Sequence, residues 1–421
     1  MTAEALAGRW SGAAEIRQRR ALLVAPLRKV TFWVLFVFVL TIPSSSVVVV
    51  SEDVGTVSRL VGLAALPPAA LAVALGGRRA RLLDVHVLLL VLVGWIAAST
   101  MWTRDLSATT GTVFTALQLL VLVLLVWEFA GDTDRWRALL VAYVLGCWVA
   151  AAQLLAAPVL GRAGLDSARY SVGDFNPNDL AQILLVGLPV ATYLGIHHPR
   201  RAVRLLAWVY LPLGSVANLL TGSRQALVVL PLALLLVPIG VRRLSPAARV
   251  TTGVVAVASL LVVVVLVPAP TMTRLLSVGT EFGDGGLGGR ALLWSSALDA
   301  VADEPVTGVG AGSLGRLIQR DVGYTAGAHN SLLSVAAELG MVGLALFLAV
   351  LAATAVRVLR FRAQERAFGV VTFLVVLATL LPGHNEYDKS TWLALAMLVG
   401  PAAGLGAAHA FRDRVRAEVV T

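Results

Sequence analysis

The sequence predicts an all-α, polytopic membrane protein with about 12 transmembrane helices. Of its 421 residues, 58% are hydrophobic and only 14% are charged, whereas soluble domains average roughly 45–50% and about 25%. The apolar residues also occur in blocks of about 20, the length that crosses ~30 Å of hydrocarbon. These observations exclude an ordinary soluble enzyme, a disordered chain and a disulfide-stapled domain.

The apolar blocks divide the chain into its predicted parts. They lie near residues 30–50, 57–75, 83–101, 108–130, 138–160, 180–197, 203–221, 224–241, 249–267, 329–356, 368–384 and 391–410. The second block contains Pro67 and Pro68, which a transmembrane helix tolerates when neighbouring helices satisfy the freed carbonyls. The predicted domains are a basic tail (1–29), nine helices (30–267), a long extracytoplasmic loop (268–327), three helices (328–410) and a second tail (411–421).

The distribution of basic residues predicts the orientation. If the N-terminus is cytoplasmic, 24 of the 34 lysines and arginines lie in short inner segments, as the positive-inside rule requires. Both termini are therefore expected to be cytoplasmic, in a multi-pass protein of the cytoplasmic (inner) membrane. Orientation also explains the net charge of +10 without a nucleic-acid partner, and membrane lipids are the expected surroundings.

The loop at 268–327 is far longer than most other connections, and long loops in compact proteins commonly carry function. Its segment ALLWSSALDAV, directly after Arg290, has the pattern of an amphipathic helix that lies along the membrane surface. A second short helix is predicted over 313–318. We interpret Trp294 as a membrane-surface anchor rather than a sugar-stacking platform. The glycine-rich run 308–312 resembles a phosphate-cradling loop, but no βαβ unit surrounds it, so a turn is the favoured interpretation.

Polar residues gather where helices begin at the predicted outer face, while the spans contain few ionisable groups. These residues are Asn178, Ser223, Arg224, Arg290, His329 and Asn330. A helix N-terminus carries a partial positive charge, so an arginine there is unfavourable unless an anion binds. Arg224 and Arg290 therefore predict a site for a strongly negative ligand such as a diphosphate. The alternative is contact with lipid headgroups, which we favour for Arg59, Arg104 and Arg274.

Two of the six histidines, His329 and His384, fall at the predicted outer face. A helix N-terminus disfavours imidazolium, so His329 should stay neutral and able to accept a proton. We predict His329 as a general base, with His384 as the fallback and a structural role as the alternative. No Cys/His cluster suits zinc, and the acidic residues of the long loop lack the spacing of a metal site. No metal or cofactor is expected.

Four segments of the sequence resemble the O-antigen ligase/polymerase family. They are NPNDLAQILLVGLP from Asn176, TGSRQALVVLP from Thr221, GGRALLWSSALDAVADEPVTGVGAGSLG from Gly288 and AHNSLLSVAAELGMVGLALF from Ala328. They follow the family's order, with its long outer loop before the HN span. The resemblance implies a GT-C-like membrane glycosyltransferase that uses a polyprenyl-diphosphate-linked glycan as donor.

The resemblance also implies a chemistry at the outer membrane face. An acceptor hydroxyl attacks the anomeric carbon of the donor sugar, and polyprenyl diphosphate departs with inversion of configuration. By the family's motifs, Arg224 and Arg290 bind the diphosphate and His329 removes the acceptor proton. The residues that would support them are Asn330, Asn178, Ser223 and His384. Whether the acceptor is a lipid, a glycan or a protein stays open. Whether the protein is a ligase or a polymerase stays open as well.

Two other classes of protein compete with this interpretation. A transporter or flippase for an anionic lipid or sugar would use the same arginines for binding only. Ion-coupled transporters, however, usually place carboxylates or histidines near mid-membrane, and these spans largely lack them. A structural membrane scaffold fits the composition but leaves the polar helix starts unexplained. We therefore predict a lipid-linked glycan transferase.

Overall fold

Long apolar helices make up almost all of the described structure. The computed structural model describes residues 3–45, 49–51, 55–77, 82–160, 169–173, 175–242, 267–277 and 290–400, with short pieces between 245 and 261. Its helices are α1 (Ala3–Thr41), α2 (Val57–Gly76), α3 (Asp84–Ala98), α4 (Leu106–Phe129), α5 (Thr133–Val159), α6 (Pro177–His197), α7 (Arg201–Leu220), α8 (Arg224–Ala233), α9 (Val237–Arg242), α10 (Ala269–Leu276), α11 (Arg290–Asp303), α12 (Leu314–Val322), α13 (Ser331–Leu359), α14 (Ala363–Leu380) and α15 (Lys389–Val399). Two short strands, β1 (Val49–Ser51) and β2 (Gly55–Thr56), pair antiparallel between α1 and α2.

Within the described residues, nine helical segments are long and apolar enough to cross a membrane. They are Leu22–Thr41, Val57–Gly76, Asp84–Met101, Leu106–Phe129, Thr133–Val159, Pro177–His197, Arg201–Leu220, Arg224–Arg242 and Ser331–Leu359. The predicted blocks at 368–384 and 391–410 correspond to α14 and to α15, which is described as far as Val399. Most of the predicted span at 249–267 lies outside the described residues, as do 278–289 and 401–421. The count of 12 therefore stays a prediction.

The start of the chain differs from the predicted tail at 1–29 and span at 30–50. One helix, α1, runs through both and ends at Thr41. It ends there because Pro43 lacks a backbone N–H and restricts the residue before it. The β-branched valines that follow favour extended structure, and two of them open β1.

The central helix is α6, the most enclosed of the nine spans, with 89% of its apolar stretch buried. It packs against α5, α7, α8 and α14. Tyr143 of α5 donates its hydroxyl to the carbonyl of Ile183 (3.0 Å), and Tyr210 of α7 donates to the carbonyl of Leu184 (3.1 Å). Polar groups away from water need such partners. These bonds fix the rotation of α6 and with it the position of its first turn.

A break in α13 receives the turn-rich part of the long loop. Gly340 lies inside α13 with φ 67° and ψ −173°, a conformation that favours glycine. The break frees carbonyls of the helix, and those of Ala337 and Glu338 accept hydrogen bonds from the N–H groups of Val309 and Gly310 at 3.0 and 2.9 Å. The loop is thereby docked onto the first half of α13.

The opposite end of the bundle contains a buried ion pair. Arg28 Nη2 lies 2.7 Å from Glu128 Oε1 and donates to the carbonyl of Gly77 at 2.8 Å. The guanidinium carbon of Arg28 also lies 5.4 Å from the centre of the Phe129 ring. Charges withdrawn from water need such partners to offset the cost of desolvation. The pair joins α1, α4 and the end of α2, and is structural.

Candidate active site

The loops at one end of the bundle, which we call the site end, bring together the first turns of α6, α8 and α13. Arg169 bridges two of them: its Nη2 donates to Oδ1 of Asn178 (2.8 Å) and its Nε to the carbonyl of Thr221 (3.4 Å). Ser331, the first residue of α13, accepts a hydrogen bond from the backbone N–H of Asn385 at 2.9 Å. This bond joins α13 to the loop between α14 and α15.

Arg224 begins α8 and is held against α10. Its Nε donates to the carbonyl of Arg274 (3.2 Å) and its Nη2 to Oγ of Ser277 (3.3 Å). In return, Arg274 Nε donates to the carbonyl of Gly222 at 3.3 Å. These contacts fix the half-buried guanidinium of Arg224 at the site end. They also place Arg274, which we expected to contact lipid headgroups, against the start of α8.

Arg290, the first residue of α11, lies close enough to Arg224 for the two charges to repel each other. Burial and then the charge of Arg224 lower the pKa of Arg290. Within the described part of the chain, the guanidinium of Arg290 has no hydrogen bond or ion pair. Two half-buried guanidinium groups that repel each other are stabilised by an anion that binds to both. The arrangement suits a phosphate or diphosphate.

His329 lies directly before the cap of α13 in a strained conformation. Its φ is 49°, and among the described residues it is the single non-glycine with positive φ. Burial lowers the pKa of His329, and the nearby charges of Arg290, His384 and Arg169 lower it further. An imidazole that is neutral at pH 7 can accept a proton. The structure therefore places an imidazole that can accept a proton near Arg290.

His384 lies near His329 but in a different charge state. Its Nδ1 is 2.9 Å from Oε1 of Glu386, whose side chain is 1% exposed. Burial by itself lowers the pKa of His384, but the charge of Glu386 and the hydrogen bond to it raise the pKa to about 9. A histidine that is charged at neutral pH is a poor proton acceptor. Of the two histidines, His329 is therefore the better proton acceptor at neutral pH.

The other predicted support residues contribute in different ways. Asn330 caps α13, because its Oδ1 accepts from the N–H groups of Leu332 and Leu333, both at 3.1 Å. Asn178 accepts from a guanidinium, as described above. Ser223 is 1% exposed, and its Oγ has no hydrogen-bond partner among the described residues. A buried hydroxyl of this kind needs a ligand or water to satisfy it.

Four polar residues of the site end were not predicted from the sequence. They are Arg169, Glu338, Glu386 and Tyr387. Glu338 of α13 is 2% exposed, and its Oε2 accepts from the hydroxyl of Tyr387 at 3.1 Å. Glu338 is an exception to the expectation that the spans contain few ionisable groups, although a carboxylate in so apolar a run is visible in the sequence. Among the residues that the structure describes, no group of three or more His, Cys, Asp or Glu is placed to hold a metal ion.

Trp294 lies one turn after Arg290 on α11 and faces the protein. Its indole Nε1–H donates to the carbonyl of Ala328 at 2.9 Å. It packs beside the small apolar cluster formed by α11, α12 and the start of α13. Its polar atom is therefore committed to the segment that precedes α13 rather than to a lipid headgroup.

The glycine-rich run 308–312 is a turn that packs against the protein. Gly308, Gly310 and Gly312 have φ values of 67°, 101° and 73°, which glycine adopts without strain. Two N–H groups of the run donate to α13, as described above, and the N–H of Ala311 donates to Oγ of Ser99 at 3.2 Å. With these N–H groups engaged, the run is not a phosphate cradle.

The chain was compared with curated protein sequences and with protein-family models. Curated protein sequences give no significant match. A protein-family model described as O-antigen ligase matches residues 209–348, a third of the chain that includes Arg224, Arg290 and His329. The match confirms the predicted resemblance to the O-antigen ligase family over residues 209–348.

Proposed function

We propose that the protein transfers a glycan from a polyprenyl-diphosphate donor to an acceptor hydroxyl at the outer face of the cytoplasmic membrane. The observation that carries this proposal is the position of Arg290, whose guanidinium repels that of Arg224 and also lowers the pKa of the nearby His329. The family match over residues 209–348 supports glycan transfer of the O-antigen ligase type. The short basic loops at the opposite end support the orientation.

The residues of the site end suit each part of this reaction. A neutral ring nitrogen of His329 takes the proton of the acceptor hydroxyl as its oxygen attacks the anomeric carbon. The bond between that carbon and the phosphate oxygen breaks, and its electron pair leaves with polyprenyl diphosphate. Arg224 and Arg290 stabilise the charge that builds up on this leaving group. Attack from the face opposite the leaving group inverts the anomeric configuration.

A transporter or flippase for an anionic lipid or sugar is the alternative. Glu338, buried in α13, is the observation that favours it, because ionisable groups within spans often mark transport pathways. Yet its carboxylate accepts from the hydroxyl of Tyr387, and the backbone of Gly312 is bonded to it as well. A carboxylate held by two fixed donors fits a structural role better than an ion pathway.

Turnover by the reconstituted full chain tests the proposal. The protein in lipid nanodiscs is given a polyprenyl-diphosphate-linked glycan and, in separate reactions, a lipid, a glycan and a peptide acceptor. We expect a new glycosidic product with one acceptor class and a loss of at least about 100-fold in rate for His329→Ala, with donor binding retained. His198→Gln, at the opposite end of the bundle, is the matched control and should keep wild-type turnover.

Two results would overturn the proposal. Unchanged turnover in His329→Ala would remove that residue from the reaction. Absence of product with every acceptor, together with movement of labelled donor between the leaflets of a proteoliposome, would establish the transporter instead.

A further inference from the structure

The ring of His384 is clamped against the segment that carries His329. A Cβ atom added to Gly327 would lie 2.6 Å from His384 Nδ1, so the ring packs directly on that glycine. On the other side, Oγ of Ser334 lies 3.4 Å from the same nitrogen. The ring thus contacts Gly327, two residues before His329, and Ser334, five residues after it. These contacts fix the position of the His384 ring relative to His329.

The backbone around His384 is fastened to the first turn of α13. Ser331 Oγ donates to the carbonyl of Gly383 at 3.3 Å and accepts from the N–H of Asn385 at 2.9 Å. The indole N–H of Trp392 donates to the carbonyl of Glu386 at 2.8 Å. Every residue from 383 to 386, apart from His384 itself, therefore has its backbone anchored by a neighbouring side chain.

Glu386 orients the ring. Its carboxylate faces an apolar cavity whose walls include Leu92, Val335 and Trp392, and its Oε1 lies 2.9 Å from His384 Nδ1. In such low-dielectric surroundings the attraction between the two opposite charges is strong. Because Nδ1 faces Glu386 and Ser334, Nε2 is the ring nitrogen that remains for a ligand. The side chain of His384 is 43% exposed, so a ligand can reach it.

The groups that face His384 come from every element around it. Glu386 belongs to its own loop, Glu338 to α13 and Asp179 to the first turn of α6, and all three carboxylates favour the charged ring. Burial of the ring opposes its charge, and the nearby ring of His329 is neutral at pH 7 because its own pKa is lowered. The carboxylates outweigh the effect of burial, so His384 carries a positive charge at neutral pH.

We propose that His384, oriented by Glu386, binds the diphosphate of the donor by donating its Nε2–H to a phosphate oxygen, as a third cation beside Arg224 and Arg290. The inference rests on the proposed function, because it requires a diphosphate ligand at the site end. Negative charge on the leaving group grows as its bond to the sugar breaks, so a fixed cationic donor stabilises the transition state more than the bound donor.

Binding of polyprenyl diphosphate, without a sugar, tests this assignment on the full chain in nanodiscs. We expect wild-type affinity to fall as pH rises through about 9, where His384 loses its proton. In Glu386→Gln the ring loses its carboxylate partner, so the fall should move towards about 6.5, the ordinary pKa of histidine. His384→Gln should weaken binding about 10-fold at pH 7 and abolish the pH step. His198→Gln, a partly exposed histidine at the opposite end, should bind as the wild type does.

The outcomes separate the two proposals. If His384→Gln and Glu386→Gln bind polyprenyl diphosphate with wild-type affinity and wild-type pH dependence while Arg290→Ala binds weakly, the role of His384 is refuted and the proposed function stands. If the wild-type chain does not bind polyprenyl diphosphate at any pH, the proposed function fails as well. The pH dependence of binding distinguishes ligand contact from a structural role. If His384 were only structural, the pH at which affinity falls would not shift in Glu386→Gln.

Discussion

The indole N–H of Trp294 donates to the carbonyl oxygen of Ala328 over 2.9 Å, and Ala328 directly precedes His329. Trp294 lies one turn after Arg290, so the helix that carries a guanidinium also holds the backbone from which the imidazole projects. His329 adopts φ 49°, a conformation that costs energy for a non-glycine residue and persists only where the surroundings fix it. The bond from Trp294 is one such constraint, and it couples the positions of Arg290 and His329.

We expect Trp294→Phe to lower turnover with little change in the KM for donor. The variant keeps an aromatic ring in the apolar cluster but loses the N–H, so the carbonyl of Ala328 is released and His329 is less well placed. A misplaced base should cost about 10-fold in kcat, equivalent to about 1.4 kcal/mol. Steady-state kinetics at saturating acceptor measure this effect.

Trp148→Phe provides the control for that experiment. Its indole donates to the carbonyl of Leu206 at 3.2 Å, between α5 and α7 and away from His329. It should lose stability without losing kcat. Equal losses of kcat in the two variants would contradict a positioning role for Trp294.

Much of the fold could be predicted because a membrane span has a simple physical signature. About 20 apolar residues are needed to cross the hydrocarbon, and even the stretch with Pro67 and Pro68 forms a helix, α2. The end of α1 was harder to predict, because apolar valines continue past Pro43 and composition alone does not distinguish a strand from a span. The break at Gly340 depends on the loop that docks there, and a single glycine in a helix does not reveal its partner.

The candidate site could be predicted only where a charged or titratable residue lies at the start of a helix. Arg224, Arg290 and His329 stand out because each lies at the start of a helix. The bond between Trp294 and Ala328 joins residues 34 positions apart, and no local pattern predicts it. Glu386 follows His384 by two residues, but a carboxylate near a histidine becomes informative only when the structure puts their side chains 2.9 Å apart.

Removal of either predicted diphosphate-binding arginine should weaken use of the donor. We expect Arg224→Ala and Arg290→Ala each to lower kcat/KM for donor by about 100-fold, near the ~3 kcal/mol typical of a lost charge-stabilising donor. Lysine at either position should recover part of the activity, since it restores the charge without the planar fork. Donor-dependent initial rates measure both effects.

Arg104→Ala is the matched control for the arginine variants. Arg104 is 40% exposed and pairs with Asp303 and Glu304 at 3.9 and 3.6 Å. Exposed pairs of this kind contribute little to stability, so its removal should leave kcat/KM for donor unchanged. An equal kcat/KM for donor in Arg290→Ala and Arg104→Ala would refute the assignment of Arg290 to the diphosphate.

The pH dependence of kcat/KM should report the lowered pKa of His329. The base acts only when unprotonated, so activity rises with pH through the pKa of His329. Because burial and the charges of Arg290, His384 and Arg169 lower that pKa, the midpoint of the acid limb should lie below about 6.5. Arg169→Gln removes one of these charges and should move the midpoint upward. A midpoint above 6.5 in the wild type would count against His329 as the base. A midpoint that does not change in Arg169→Gln would count against it as well.

The glycine-rich turn should be essential for stability rather than for binding phosphate. Gly310 has φ 101°, and a Cβ atom there would collide with the side chain of Thr103. Gly310→Ala should therefore destabilise the protein by about 2 kcal/mol and loosen the docking of the loop on α13. Gly111→Ala is the control, because Gly111 lies within α4 with no atom near the added methyl group, and alanine there should stabilise the helix by about 0.5 kcal/mol. Thermal unfolding of both variants in the same detergent measures the difference, and equal stability of the two would contradict the packing described for the turn.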